Sequence, residues 1–140
     1  MAAFTLVDCL IIINGVTLSD HGNQVTVTDS RDDKDATTFG ATSKASLKGL
    51  GDATMDIVLL QDFAASKVHA TLSPLIASTT PVAVEVRPTS AARSATNPAA
   101  LLATALMFEY KFLDASIGDV PATTATFKNS GNAGMTYPTA

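Results

Sequence analysis

Two histidines, one cysteine and a scatter of aspartates are the residues on which acid–base, metal or thiol chemistry could be built in this chain. His21 lies in a turn-like SDHGN stretch, and His69 sits beside an apolar stripe. Neither has a second ligand at metal-binding spacing, such as HExxH or a cysteine pair, so both read as surface or boundary histidines. Cys9 has no partner for an intramolecular disulfide and reads as a buried, inert thiol. Asp52 and Asp56 fall on one face of a strand, a spacing compatible with general acid–base work. Asp52, however, belongs to a Gly-Asp turn, and Asp62 stands where a strand gives way to a helix and can cap backbone N–H groups. The glycines of LKGLGD precede a strand and lack the GxxxxGK of a phosphate loop. The RDDKD run lacks the glycine and glutamate of a calcium loop. The expectation is a chain with no catalytic residues, no metal and no cofactor, and therefore not an enzyme.

The elements that would position these residues are mostly strands. Val25 and Val27 alternate with polar neighbours, as do Val82, Val84 and Val86, and Leu106, Phe108, Tyr110 and Phe112. Each set offers one face to a core. Ala53–Leu60 is more uniformly apolar and is expected to be a central strand covered on both faces. Val120–Phe127 is a Thr-rich last strand whose start Pro121 restricts. Asn14-Gly15 is a two-residue hairpin signal. Arg31–Asp35 reads as a charged loop within a long connection from Val27 to Ala45, and Pro88–Pro98 as a second long polar loop.

One helix interrupts the strands. Ser66 is a good N-cap, and Val68, Leu72, Leu75 and Ile76 fall on one helical stripe, so a helix is expected over about 66–77. Pro74 should kink or fray it. Three turns are marginal alone, so the stripe must dock on a sheet face. The fold class is mainly β, an antiparallel β-sandwich or partial barrel with one flanking α-helix.

Composition narrows the function classes. A chain of 140 residues can bury a core without staples. Nine Lys and Arg against thirteen Asp and Glu leave a net charge of -4, which argues against a general nucleic-acid binder. No run of 18 apolar residues suggests a membrane span, and the first residues lack the basic region of a signal peptide. The polar surface is rich in Thr, Ser and Asn, which suits strands, turns and subunit contacts.

The stretch from Lys44 to Lys128 resembles the tail tube (major tail) proteins of long-tailed bacteriophages, especially those of actinobacteria. The likeness lies in a Gly-flanked strand, then QDF, a helix ending in LSPLI, a Val-alternating strand ending RP, the polar SATNP loop and a late strand ending TTATF. The resemblance implies a tail-tube β-sandwich domain over residues 1–128, with 129–140 a flexible or subunit-contacting tail. It implies six subunits in a ring, rings stacked into a tube, and DNA passing through the lumen without specific binding. Other tail proteins, the terminator and the tape measure, would be its partners. The setting would be the virion tail, assembled in the host cytoplasm, with no membrane. By the same resemblance Arg31, Asp32, Asp33, Lys34 and Asp35 would contact neighbouring subunits or rings, with Phe39 as an apolar anchor. Asp56, Glu85 and Glu109 are the candidates for facing the lumen. The alternatives are another virion structural protein (tail terminator, baseplate or capsid decoration) and a β-sandwich ligand-binding module. The latter would want exposed aromatics and is disfavoured by the absence of Trp and by there being only two tyrosines, Tyr110 and Tyr137.

Overall fold

The computed structural model describes residues 3–140. Its strands are β1 (Leu10–Ile13), β2 (Val16–Thr17), β3 (Gly22–Asp35), β4 (Ser46–Leu60), β5 (Val82–Arg87), β6 (Ala100–Tyr110), β7 (Ala122–Asn129) and β8 (Met135–Thr136). A 3-10 turn at Ser19–His21 leads into β3, and the α-helix α1 (Val68–Leu72) runs on into a second 3-10 turn, Ser73–Leu75. The strands form one antiparallel sheet in the order β2-β1-β5-β6-β7-β4-β3. β8 pairs with β6 at Leu101 and Leu102, past the point where β7 ends.

Period-two alternation builds the core. Ala53, Met55, Ile57 and Leu59 of β4, Ala125 and Phe127 of β7, Leu102, Ala105 and Met107 of β6, and Val84 and Val86 of β5 are buried on one face. Ile11 and Ile13 of β1 join the same cluster, and Val25 and Val27 of β3 pack against it. Each large side chain so buried contributes about 1.5–3 kcal/mol relative to exposure. Because β1 and β3 lie toward opposite ends of the strand order yet share one core, the sheet curls into a partial barrel and stays open. Where the ends approach, Gly22 leaves no room for a side chain: a Cβ there would sit 2.8 Å from Ile11 Cδ1. Asn14 and Gly15 both take positive φ, 51° and 80°, as a tight β1–β2 hairpin requires.

β4 is covered on one face only. Thr54, Asp56 and Val58 are half-buried on the face away from the core, so the strand alternates where double coverage was expected. β7 begins one residue after Pro121, whose carbonyl accepts the Gln61 N–H at 2.9 Å.

The helix is shorter than its stripe suggests. Ser66 has φ +60° and does not cap; Lys67 holds the cap position without a side-chain bond. Anchoring comes instead from the His69 N–H, which donates to the Asp62 carbonyl at 3.0 Å. At Ser73 the α-helix tightens to a 3-10 turn that accepts Pro74 near its start. Val68, Leu72 and Leu75 are buried, but Ile76 is 42 % exposed. Three residues per turn in place of 3.6 rotate Ile76 off the stripe, so it does not dock.

Arg31–Asp35 is strand, not loop. β3 and β4 continue beyond the core as a hairpin arm, with Arg31 opposite Gly51, Asp33 opposite Lys48 and Asp35 opposite Ser46. The two glycines make room: a Cβ at Gly49 would meet Asp32 Cβ at 2.9 Å, and one at Gly51 would meet the Arg31 guanidinium carbon at 3.2 Å. At the tip the Thr37 N–H donates to Asp35 Oδ1 and the Ala45 N–H to Thr37 Oγ1, both at 2.9 Å. With no core beneath the arm, no apolar alternation marks it as strand.

The last residues are fastened to the sheet rather than hanging from it. Besides β8, the Tyr137 hydroxyl donates to Asp29 Oδ2 at 2.7 Å, and the Pro138 carbonyl accepts the Ala99 N–H at 3.0 Å. The 88–98 loop is closed by buried Asn97. Its amide donates to the Ala91 carbonyl at 2.9 Å, and its Oδ1 accepts the Thr89 N–H at 3.1 Å. Asn97→Ala is expected to cost about 2 kcal/mol, because buried backbone groups lose their partners. Denaturant unfolding checks it, and a midpoint equal to that of the parent protein would show the loop holds itself.

Candidate interaction surfaces

Three surfaces carry the polar and aromatic residues singled out above. The first is the arm. Arg31, Asp32, Asp33, Lys34 and Asp35 are all exposed, and Phe39 at the tip is fully exposed. Leu47 and Leu50 on the return strand are exposed as well. Both faces of the arm meet solvent within the chain, so its charged side chains and the exposed Phe39, Leu47 and Leu50 have nothing of their own to pack on.

The second is the sheet face opposite the core. Register places Thr26, Asp56, Thr126 and Glu109 in one row across β3, β4, β7 and β6. Thr126 Oγ1 donates to Asp56 Oδ1 at 2.9 Å. A bulge between Met107 and Glu109 puts Phe108 on the surface, where the Lys128 ammonium lies 5.9 Å from its ring centroid. This face is Thr-rich and carries two carboxylates, the half-buried Asp56 bonded to Thr126 and the exposed Glu109.

Glu85 does not belong with them. It is 6 % exposed and accepts hydrogen bonds from Arg87 Nε and Arg93 Nη2. Burial pushes its carboxyl up, but the bonds from Arg93 and Arg87 outweigh that and hold it below the usual glutamate range. The charge of this carboxylate is countered within the chain by two guanidiniums. Arg93 Nε is buried without a partner. β-alternation puts Arg87 on the same face of β5 as Glu85, but no spacing marks Arg93, which arrives through the 88–98 loop.

The third surface lies at the opposite end of β4 from the arm. Gln61 Nε2 donates to the Tyr110 hydroxyl at 3.0 Å and to the Phe112 carbonyl at 2.6 Å. His69 Nδ1 lies 2.7 Å from the Tyr110 hydroxyl. Phe63, His69 and Phe112 form a three-ring cluster with centroids 5.3 Å apart, and both phenylalanines are half-exposed. The QDF run thus supplies an aromatic cluster as well as a turn, which spacing alone does not reveal, because Tyr110 and Phe112 come from β6 and the chain just beyond it. Next to it, His21 bridges two carboxylates: Nδ1 to Asp20 Oδ1 and Nε2 to Asp62 Oδ2, both at 2.8 Å. Asp62 Oδ1 accepts the Ala64 N–H at 2.9 Å, so its capping role stands beside its contact with His21.

Asp52 pairs with Ser30 on the arm, away from Asp56's row partners, and the two aspartates do not converge on one site. Cys9 is half-buried; burial, then the charge of Asp8, raise its thiol above the ordinary range. Among the described residues no group of three or more His, Cys, Asp or Glu could hold a metal ion. No described helix is long and apolar enough to cross a membrane.

No family model matches the chain, and no curated protein matches it. Among solved structures it is similar to a chain of the virion of a native gene transfer agent particle. The TM-score is 0.75 at 10% identity, covering 97% of this chain and 99% of that one. It is also similar to a chain of the tail of an empty gene transfer agent particle with C6 symmetry, at TM-score 0.71 and 12% identity, again covering 97% and 99%. The mainly β fold with one short helix is therefore shared from end to end with chains of such particles.

Proposed function

We propose that this chain is a structural subunit of a bacteriophage-type tail tube. Six copies close into a ring, rings stack into a tube, and DNA passes through the lumen without specific binding. The observation that carries the reading is the end-to-end likeness to a chain of a C6-symmetric tail. The open sheet supports it. β3 is an edge strand of 14 residues, and the short β1–β2 hairpin is the other edge. Exposed edges invite pairing with another chain, and a heterologous contact that closes on itself satisfies both.

The arm from Arg31 to Asp35, with Phe39 at its tip, makes the contacts to neighbouring subunits and rings. Asp56 and Glu109 face the lumen, where negative charge repels phosphate. Tail terminator and tape-measure proteins are its partners, and the virion tail, built in the host cytoplasm, is its place.

Replacing everything between Asp29 and Ala53 by an Asn-Gly turn tests the role of the arm. The core strands remain, so the circular dichroism and melting temperature should stay near those of the parent protein, while stacked tubes disappear from negative-stain images. Tubes of normal length from that variant would refute the arm's role. A parent protein that stays monomeric at high concentration would refute the tube itself.

A further inference from the structure

We propose that His21 is a pH-sensitive staple that fastens the β4–α1 junction to the turn before β3. The geometry makes the case. A neutral imidazole has one N–H, yet both ring nitrogens of His21 face carboxylate oxygens at 2.8 Å, Asp20 on one side and Asp62 on the other. Both contacts are hydrogen bonds only when the ring is protonated; in the neutral ring one nitrogen lone pair confronts a carboxylate. The imidazolium is therefore the form that this site fits.

What the staple holds is a segment with little stability of its own. Asp62 is its fixed point: the Ala64 N–H donates to Asp62 Oδ1, and the His69 N–H to the Asp62 carbonyl. Between them Ser66 is held at φ +60°, a strained value for a residue with a side chain. α1 has five residues, too few to persist without anchors. His69 on α1 in turn meets Tyr110 on β6, so the junction carries the helix and the aromatic cluster together.

The charged groups around His21 are Asp20 on its own turn, Asp62 on the junction and Lys67 just before α1, whose charge reaches both carboxylates. Burial pulls the imidazolium down, but the bonds to Asp62 and then Asp20, with their charges, raise it above the ordinary histidine value. A group raised on folding stabilises fully below its unfolded value, about 6.5. That contribution is lost as pH rises through the folded value. The staple is closed in mild acid and released in mild base.

Site-resolved NMR tests this on the intact chain. The His21 ring should titrate above about 6.5, and Asp62→Asn should lower it, each unit corresponding to about a tenfold change in the opening equilibrium. The hydrogen-exchange protection factor of the His69 amide should fall from about pH 5.5 to about pH 8.5. In His21→Gln, where His69 is still present, that fall should vanish. A His21 ring that titrates at or below the free value, or a His21→Gln profile that parallels the parent, would overturn the proposal. If His21→Gln folds poorly, Asp20→Asn, which alters an exposed carboxylate, must still lower the His21 titration; no drop there overturns the staple equally.

Discussion

Leu72→Asp is expected to leave the chain unfolded at room temperature. Leu72 is fully buried at the end of α1, between Val68 and Leu75 in the same buried cluster. Removing a buried leucine side chain costs about 2–5 kcal/mol. Placing a carboxyl there without a partner adds several more, whether it stays charged or takes up a proton. The sum rivals the whole stability of a domain this size, about 5–15 kcal/mol. Helix propensity cannot compensate, because one and a half turns contribute almost nothing alone. Ile76→Asp is the control. Two apolar residues of the same sequence stripe are compared, but Ile76 is exposed after the 3-10 turn, so its replacement should cost within about 0.5 kcal/mol. Far-ultraviolet circular dichroism against temperature separates the two. A Leu72→Asp variant that melts with the parent would mean that α1 is not docked on the sheet.

The contrast between Leu72 and Ile76 shows what a sequence pattern can and cannot carry. Val84 and Val86 were legible because burial on one face forces alternation. Uniform apolarity, by contrast, hid which face of β4 carries Met55, Ile57 and Leu59. On β6 the buried side is Ala105 and Met107 rather than the alternating Leu106, Phe108 and Phe112 set. Asn14-Gly15 was legible because few residue pairs accept two positive φ values. The Ser73-Pro74 step was legible as an interruption, but not the rotation it imposes on Ile76. The arm escaped because alternation reports burial, not strand: Arg31–Asp35 has no core on either side, and its polar residues read as a loop. Pairing across distance escaped for a different reason. His21 finds Asp62 41 positions away, and Tyr137 reaches Asp29 across 108. No local period connects such pairs; the curl of the sheet does. The same holds for Glu85, whose place on a strand suggested a side chain free to face outward. Only the return of the 88–98 loop brings Arg93 over it.

Glu85→Ala is the second large effect, expected at about 2–3 kcal/mol. Breaking a fully buried ion pair costs about 3–5 kcal/mol, because the partner charge is stranded. Here the side chains of Arg87 and Arg93 keep 17% and 26% exposure, so water recovers part of that cost. Arg93 Nε already lacks a partner, and losing the carboxylate would leave this guanidinium held by the Ala140 carbonyl at 3.4 Å. Glu85→Gln keeps volume and one acceptor, so it should cost less, about 1–2 kcal/mol. The pH dependence has a definite sign. Glu85 is held below its ordinary value, so its contribution is present above the unfolded value, about 4.3, and is lost as pH falls through the folded one. The stability gap between the parent and Glu85→Gln should therefore be widest near neutral pH and narrow on acidification below about 4.3. A gap that stays constant from neutral to acid would show that the carboxylate is not charged in the folded chain. The same pair of variants separates structure from assembly. If the clamp serves only to fix the 88–98 loop, Glu85→Gln protein kept well below its melting temperature should assemble as the parent does. The lumen charge in the proposed tube would then rest on Asp56 and Glu109.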